Sequence, residues 1–102
     1  MILFNIIQNN EKKAEEISTF LIEKQYTLQT HIDVNSIFNS HSKNKTIRVF
    51  FVTKALLYNT IEQEIKENFY SEDMIIYATP ISHINEEYGE IIRLKVKSSK
   101  DV

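Results

Sequence analysis

Apolar positions change their period several times along the chain, and each change marks an element. Ile2 to Ile7 is a short run rich in Ile, Leu and Phe, closed by the turn-prone pair Asn9-Asn10, which predicts a buried strand and then a helix start. From Glu11 to Lys24, Ala14, Ile17, Phe20 and Leu21 fall at helical spacing. Asn9 or Asn10 can cap that helix, and Glu11 lies near the positive end of its dipole. From Tyr26 to Phe38 the period becomes two: Leu28, Thr30, Ile32, Val34 and Phe38 share one parity, and Gln29, His31, Asp33 and Asn35 the other. This predicts a long strand with one apolar face. Asn39 to Lys45 has no packing residue and reads as a loop, after which Thr46 to Lys54 returns to β-branched and aromatic residues. The two strands form a hairpin.

Beyond Lys54, Leu57, Ile61, Ile65 and Phe69 recur every four residues, and Thr60-Ile61-Glu62-Gln63 matches a T-x-x-Q capping box, so a second helix is expected up to Asn68 or Phe69. Met74 to Thr79, ended by Pro80, reads as a fourth strand. In the tail from Ser82, Ile84, Tyr88, Ile91 and Ile92 suit a short C-terminal helix with a frayed end, although Gly89 costs roughly 1 kcal/mol inside it relative to Ala. The order strand, helix, strand, strand, helix, strand, tail helix predicts an α+β, ferredoxin-like split βαβ sandwich. Two helices would cover one face of an antiparallel four-stranded sheet. With 102 residues and no linker or repeat, residues 1–102 form a single domain.

A sheet covered on one face should alternate to polar on the other. Here Leu3 and Ile7 oppose Ile2, Phe4 and Ile6, Phe50 and Val52 oppose Val49 and Phe51, and Ile75 and Tyr77 oppose Met74 and Ile76. Both faces look apolar, so the uncovered one is expected to be buried between subunits, unless the tail helix folds back over it.

Composition removes several functions. A formal charge of -2 supplies no basic field for phosphates, so nucleic acid is not an expected partner. No apolar run approaches the roughly 20 residues of a membrane span. The N-terminal apolar stretch lacks a basic segment before it and a small-residue cleavage site after it, so it reads as a strand rather than a signal peptide. There is no Cys, which excludes disulfides, thiolate nucleophiles and Cys-type metal sites and is compatible with the cytoplasm, the expected location. One Gly and one Pro leave no glycine-rich phosphate cradle.

The sharpest candidate chemistry is His31 with Asp33, which project from one strand face about 6 to 7 Å apart and could both reach one copper or zinc ion. Such an ion wants roughly four ligands, so others would come from the loop, another strand or a second subunit. Gln29 and Asn35 beside the pair favour the plainer reading, an ordinary solvated strand face. His41 lies among Ser and Asn, and His83 reads as a turn residue. Ser36 and Ser40 have no evident base and acid, and no catalytic residues or turnover are expected.

The segment VFFVTKALLYNTIEQEIKENFYSEDMIIYATPI, Val49 to Ile81, with the tail NEEYGEIIR, resembles the C-terminal half of the CutA divalent-cation-tolerance family. Tyr70, the run Ile75 to Ala78, Pro80 and Tyr88 sit where that pattern places a turn aromatic, an apolar strand, its closing Pro and a helix aromatic. The sequence departs from the family at three places. Thr30-His31-Ile32-Asp33 stands for its Cys-x-Asn, Ser36 to His41 for its Ser-x-Tyr-x-Trp-x-Gly, and Ser71-Glu72-Asp73-Met74 for its Val-Pro-Glu. The resemblance implies a ferredoxin-like homotrimer, related in architecture to PII signal proteins, with a role around divalent metal ions. It also implies a ligand-binding turn between subunits, onto which Tyr70 and Glu72 map, whereas the residues themselves favour a plain helix-to-strand turn, since Glu72 and Asp73, adjacent on extended chain, point to opposite sides. The rival expectation is a PII-like regulatory module that binds a small molecule or a partner protein in its inter-subunit clefts. Scarcity of glycine counts against phosphate-bearing ligands there.

Overall fold

The computed structural model describes residues 1–38 and 43–98, with the backbone alone at 35–38 and 43–44. Its elements are β1 (Ile2–Gln8), α1 (Glu11–Glu23), β2 (His31–Phe38), β3 (Lys43–Thr53), a single 3-10 turn (Ala55–Leu57) leading into α2 (Tyr58–Phe69), β4 (Ile75–Pro80) and α3 (Glu86–Lys95). The strands lie in the order β2-β3-β1-β4, each antiparallel to its neighbour. This is the ferredoxin-like α+β architecture expected from the element order. No helix among the described residues is long and apolar enough to cross a membrane.

Pairing register decides which side chains form the core. Phe4 stands between Phe51 and Ala78, and Ile6 between Val49 and Ile76, so these residues share one face. Against it pack Ala14, Ile17 and Leu21 of α1 and Ile61 and Ile65 of α2, all fully buried. The Phe4 ring stacks on Phe51 at 5.0 Å and meets Tyr58 at 5.0 Å, while Phe20 and Phe69 join the two helices edge to face at 5.4 Å.

The ends of α1 follow from local chemistry. Asn10 is the N-cap: its Oδ1 accepts the Lys13 amide at 2.9 Å. At the other end Gln25 adopts φ 63°, its amide bonding Ile22 O and the Tyr26 amide bonding Leu21 O, both at 3.0 Å. That is a Schellman ending with glutamine where glycine is usual.

Three boundaries differ from the sequence reading. β2 begins at His31 rather than Tyr26, because Tyr26 and Thr27 are consecutive yet both buried and serve as side-chain ties. Thr27 Oγ1 donates to Val52 O at 2.8 Å, and Thr53 Oγ1 donates to Tyr26 O at 2.7 Å. Lys43, Asn44 and Lys45, expected in the loop, open β3 opposite Phe38, Ile37 and Ser36. His41 and the remaining loop residues 39–42 lie outside the described residues. Thr60 to Gln63 is no capping box, since α2 already starts at Tyr58 out of the 3-10 turn and its N-cap, Leu57, makes no side-chain cap bond.

The tail helix forms with Gly89 inside it. A Cβ at position 89 would stand 3.4 Å from Ile84 Cγ2 and 3.8 Å from Met1 Cε, so the helix packs closely there. Ile92 and Val96 join the same core cluster as Phe4 and Leu57. Lys54 Nζ donates to Arg93 O at 3.1 Å and Val96 O at 2.7 Å, and the Lys97 amide bonds Gln25 O at 2.8 Å. The helix therefore docks at the core and leaves Ile75 and Tyr77, on the opposite sheet face, 54% and 40% exposed.

Candidate functional site

On the face turned away from the helices, register aligns rows of side chains across the sheet. His31 of β2 stands opposite Phe50 of β3, which stands opposite Asn5 of β1, itself opposite Tyr77 of β4. The next row is Asp33, Arg48, Ile7 and Ile75. The face is thus not purely apolar, as the strand parities suggested; a polar cluster runs through it.

Arg48 holds that cluster together. Its guanidinium lies 4.3 Å from the Phe50 ring centroid, and His31 stacks on the same ring at 4.9 Å and 16°. Arg48 Nη2 donates to Asp33 Oδ2 at 2.9 Å, and Nη1 reaches Asn5 Oδ1 at 3.5 Å. Beneath it Asn5 is only 2% exposed, and its Nδ2 donates to Leu3 O at 3.3 Å. Arg48 Nε is shielded from solvent and unpartnered among the described residues. Asp33 and Arg48 both keep about a third or more of their side chains exposed, at 46% and 35%, so their pairing adds little stability by itself.

His31 and Asp33 do share the expected face, and His31 is exposed. Asp33, however, is already engaged by a cation, and no group of three His, Cys, Asp or Glu residues able to hold a metal occurs among the described residues. A metal bound to this pair must displace or share the Arg48 contact and complete its shell from water or from outside the single chain.

Tyr70 and Glu72 are separated in role. Tyr70, 64% exposed after α2, lines a cleft of about 330 Å³ with Glu62, Lys66, Met74, Ile75 and Ile76. Glu72 lies outside that lining, in a turn closed by the Met74 amide bonding Ser71 O at 3.1 Å. The carboxylate in the cleft is Glu62, which accepts from the Tyr58 hydroxyl at 3.0 Å and lies 3.9 Å from Lys66. Burial first, and the Glu62 bond second, push the Tyr58 hydroxyl up from its ordinary value. Sequence reasoning missed Arg48, Asn5 and Phe50; the signal was a lone cation inside the apolar run Ile47 to Val52.

The molecule is a ferredoxin-like domain with a third helix docked at the core and an open sheet face carrying both apolar side chains and a cation–carboxylate row. Among solved structures the fold is shared with CutA proteins. A single-site variant of CutA1 from Pyrococcus horikoshii superposes with a TM-score of 0.87 at 17% identity, covering 96% of this chain and 100% of that one. The periplasmic divalent cation tolerance protein CutA from Archaeoglobus fulgidus gives 0.81 at 19%, covering 95% and 100%. The divalent cation tolerance protein from Thermus thermophilus gives 0.80 at 17%, with the same coverage of 95% and 100%. No protein-family model matches the sequence, and neither does any curated protein. At these identities the correspondence is one of fold, and it spans nearly the whole chain.

Proposed function

We propose that this chain is a divalent-cation-tolerance protein of the CutA type that works as a homotrimer and binds a copper or zinc ion weakly through His31 and Asp33. The observation that supports this reading is the match of the whole chain to CutA structures that cover 95% or more of it. The open face fits a role in assembly, since Ile75 and Tyr77 remain exposed beside Ile7 and Phe50 in the single chain. Weak rather than tight binding follows from the ligands: two side chains, one of them shared with Arg48, fall short of the three or four that a closed site needs. The ligand-binding turn that the CutA likeness implies between subunits would fall at Tyr70, which lines the cleft, and at Glu72, in the turn that follows.

Calorimetric titration of metal-free protein with Cu(II) and Zn(II) tests the ion half of the reading. Heat of binding is expected for the natural sequence and is lost in His31→Ala, while Asp33→Asn weakens it. Equal heats in all three proteins place the ion elsewhere, and no heat in any of them removes ion binding from the function.

A further inference from the structure

A groove of about 690 Å³ opens between the C-terminal ends of α1 and α3, on a different part of the molecule from the open sheet face. Its apolar wall is Ile22, Leu28 and Leu94, and two of these stand well out in solvent, Ile22 at 45% and Leu94 at 71% exposure. Gln25, Thr27 and Val96 line it too, together with Lys95 and Lys97, and no acidic side chain contributes among the described residues. The volume of about 690 Å³ lies within the roughly 300–1,000 Å³ typical of small-molecule sites.

The two lysines are not used up by the fold. Neither pairs with a carboxylate among the described residues, unlike neighbouring Lys24, which is 3.8 Å from Glu64. The carbonyls at both helix ends are already met. The Gln25 and Tyr26 amides take those of α1, and Lys54 Nζ takes Arg93 O and Val96 O. Lys97 keeps its ammonium 5.9 Å from the Tyr26 ring centroid, while its backbone amide is fixed to Gln25 O at 2.8 Å. Two cations with no carboxylate partner among the described residues thus border an apolar wall, with the backbone beneath held by the Lys97–Gln25 bond.

We propose that this groove binds a small amphipathic anion, a carboxylate carried on a medium-length alkyl chain. The carboxylate sits between Lys95 and Lys97, and the chain lies along Ile22, Leu28 and Leu94. Charge complementarity selects the anionic head, because a neutral molecule of the same shape offers the two ammonium groups no opposite charge. This assignment stands apart from the ion-tolerance reading, and each can fail alone.

The probe is decanoate, with decanol as the neutral control, titrated into the full chain and followed by amide chemical shifts. Saturable binding is expected, with shifts confined to residues around 22–28 and 94–97 and an affinity at least about tenfold above that for decanol. Leu94→Asp and the pair Lys95→Glu with Lys97→Glu should each weaken decanoate about tenfold or more. These side chains are exposed or half-exposed, and unchanged far-ultraviolet circular dichroism shows that the variants keep their fold. Decanol binding as tightly as decanoate, or decanoate binding unaffected by the variants, overturns the proposal. So does a Leu94→Asp variant that changes the oligomeric state while decanoate fails to bind, an outcome that assigns the groove to a second copy of the chain.

Discussion

Tyr26 is 2% exposed, and its hydroxyl donates to the Glu64 carboxylate of α2, which Lys24 also approaches at 3.8 Å. Burial first, then the bond to Glu64 and its charge, push the phenol well above its ordinary value of 10.0. In the folded state the proton is therefore held where an unfolded tyrosine gives it up. Stability from this group is complete below about pH 10 and is lost as the pH rises above it. Tyr58, pushed the same way by burial and Glu62, adds to the same alkaline loss. Tyr26→Phe should cost about 1.5–3 kcal/mol at pH 8, the range of a hydrogen bond to a charged group. Urea unfolding across the pH range should show a shallower decline above about pH 10 in the variant. An unchanged alkaline slope assigns the loss to Tyr58 alone. In the sequence Tyr26 reads as the start of a strand; nothing in its alternating neighbours signals a hydroxyl partner 38 residues away. The same holds for Asp33. A period of two is enough to put it beside His31, but the cation that engages it, Arg48, follows only from the pairing of β2 with β3.

The helices are the most legible elements, because their buried positions repeat at a spacing the sequence displays directly. Ala14, Ile17 and Leu21, and Leu57, Ile61 and Ile65, are all fully buried as the periodicity requires. Phe20 and Phe69 are half-buried because they meet each other at the helix–helix contact. Boundaries set by side-chain bonds are not legible. Thr27 ends the approach to β2 by bonding Val52 O, and α2 takes its start from a 3-10 turn rather than from Thr60. Lys54 is the clearest such case, since it reads as the polar end of a strand yet reaches across to cap α3. Its two bonds, at 2.7 and 3.1 Å, meet carbonyls that the helix itself leaves unpaired. Lys54→Met preserves the aliphatic stem and removes those bonds, for an expected loss of about 1–2 kcal/mol. The loss should be local: hydrogen exchange at the amides of α3 should quicken while α1 and β1 keep their protection. Uniform quickening throughout the molecule would mean that α3 is not a separable unit and that Lys54 supports the whole core.

On the scale of the molecule, the open sheet face links the fold to the proposed assembly. Its apolar half is visible in the sequence as strands apolar at both parities; its polar half, Asn5, Arg48 and Asp33, emerges only when three strands are brought side by side. Each half has a different consequence for association. Ile75 and Tyr77, at 54% and 40% exposure, supply area whose burial favours contact at about 25 cal/mol per Å². Arg48, with its Nε shielded and unpartnered among the described residues, supplies orientation, because a neighbouring copy that buries the row must respect its charges. If the face is an interface between copies, Ile75→Asp with Tyr77→Asp places unpaired carboxylates in it at a cost of several kcal/mol each. That exceeds what the lost area alone could explain. Sedimentation at micromolar concentration should then give three times the 12.0 kDa chain mass for the natural sequence and the single-chain mass for the double variant, with circular dichroism unchanged. Identical masses for the two proteins would remove this face from the assembly. A single-chain mass for the natural sequence would leave the CutA fold in place and the trimer without support.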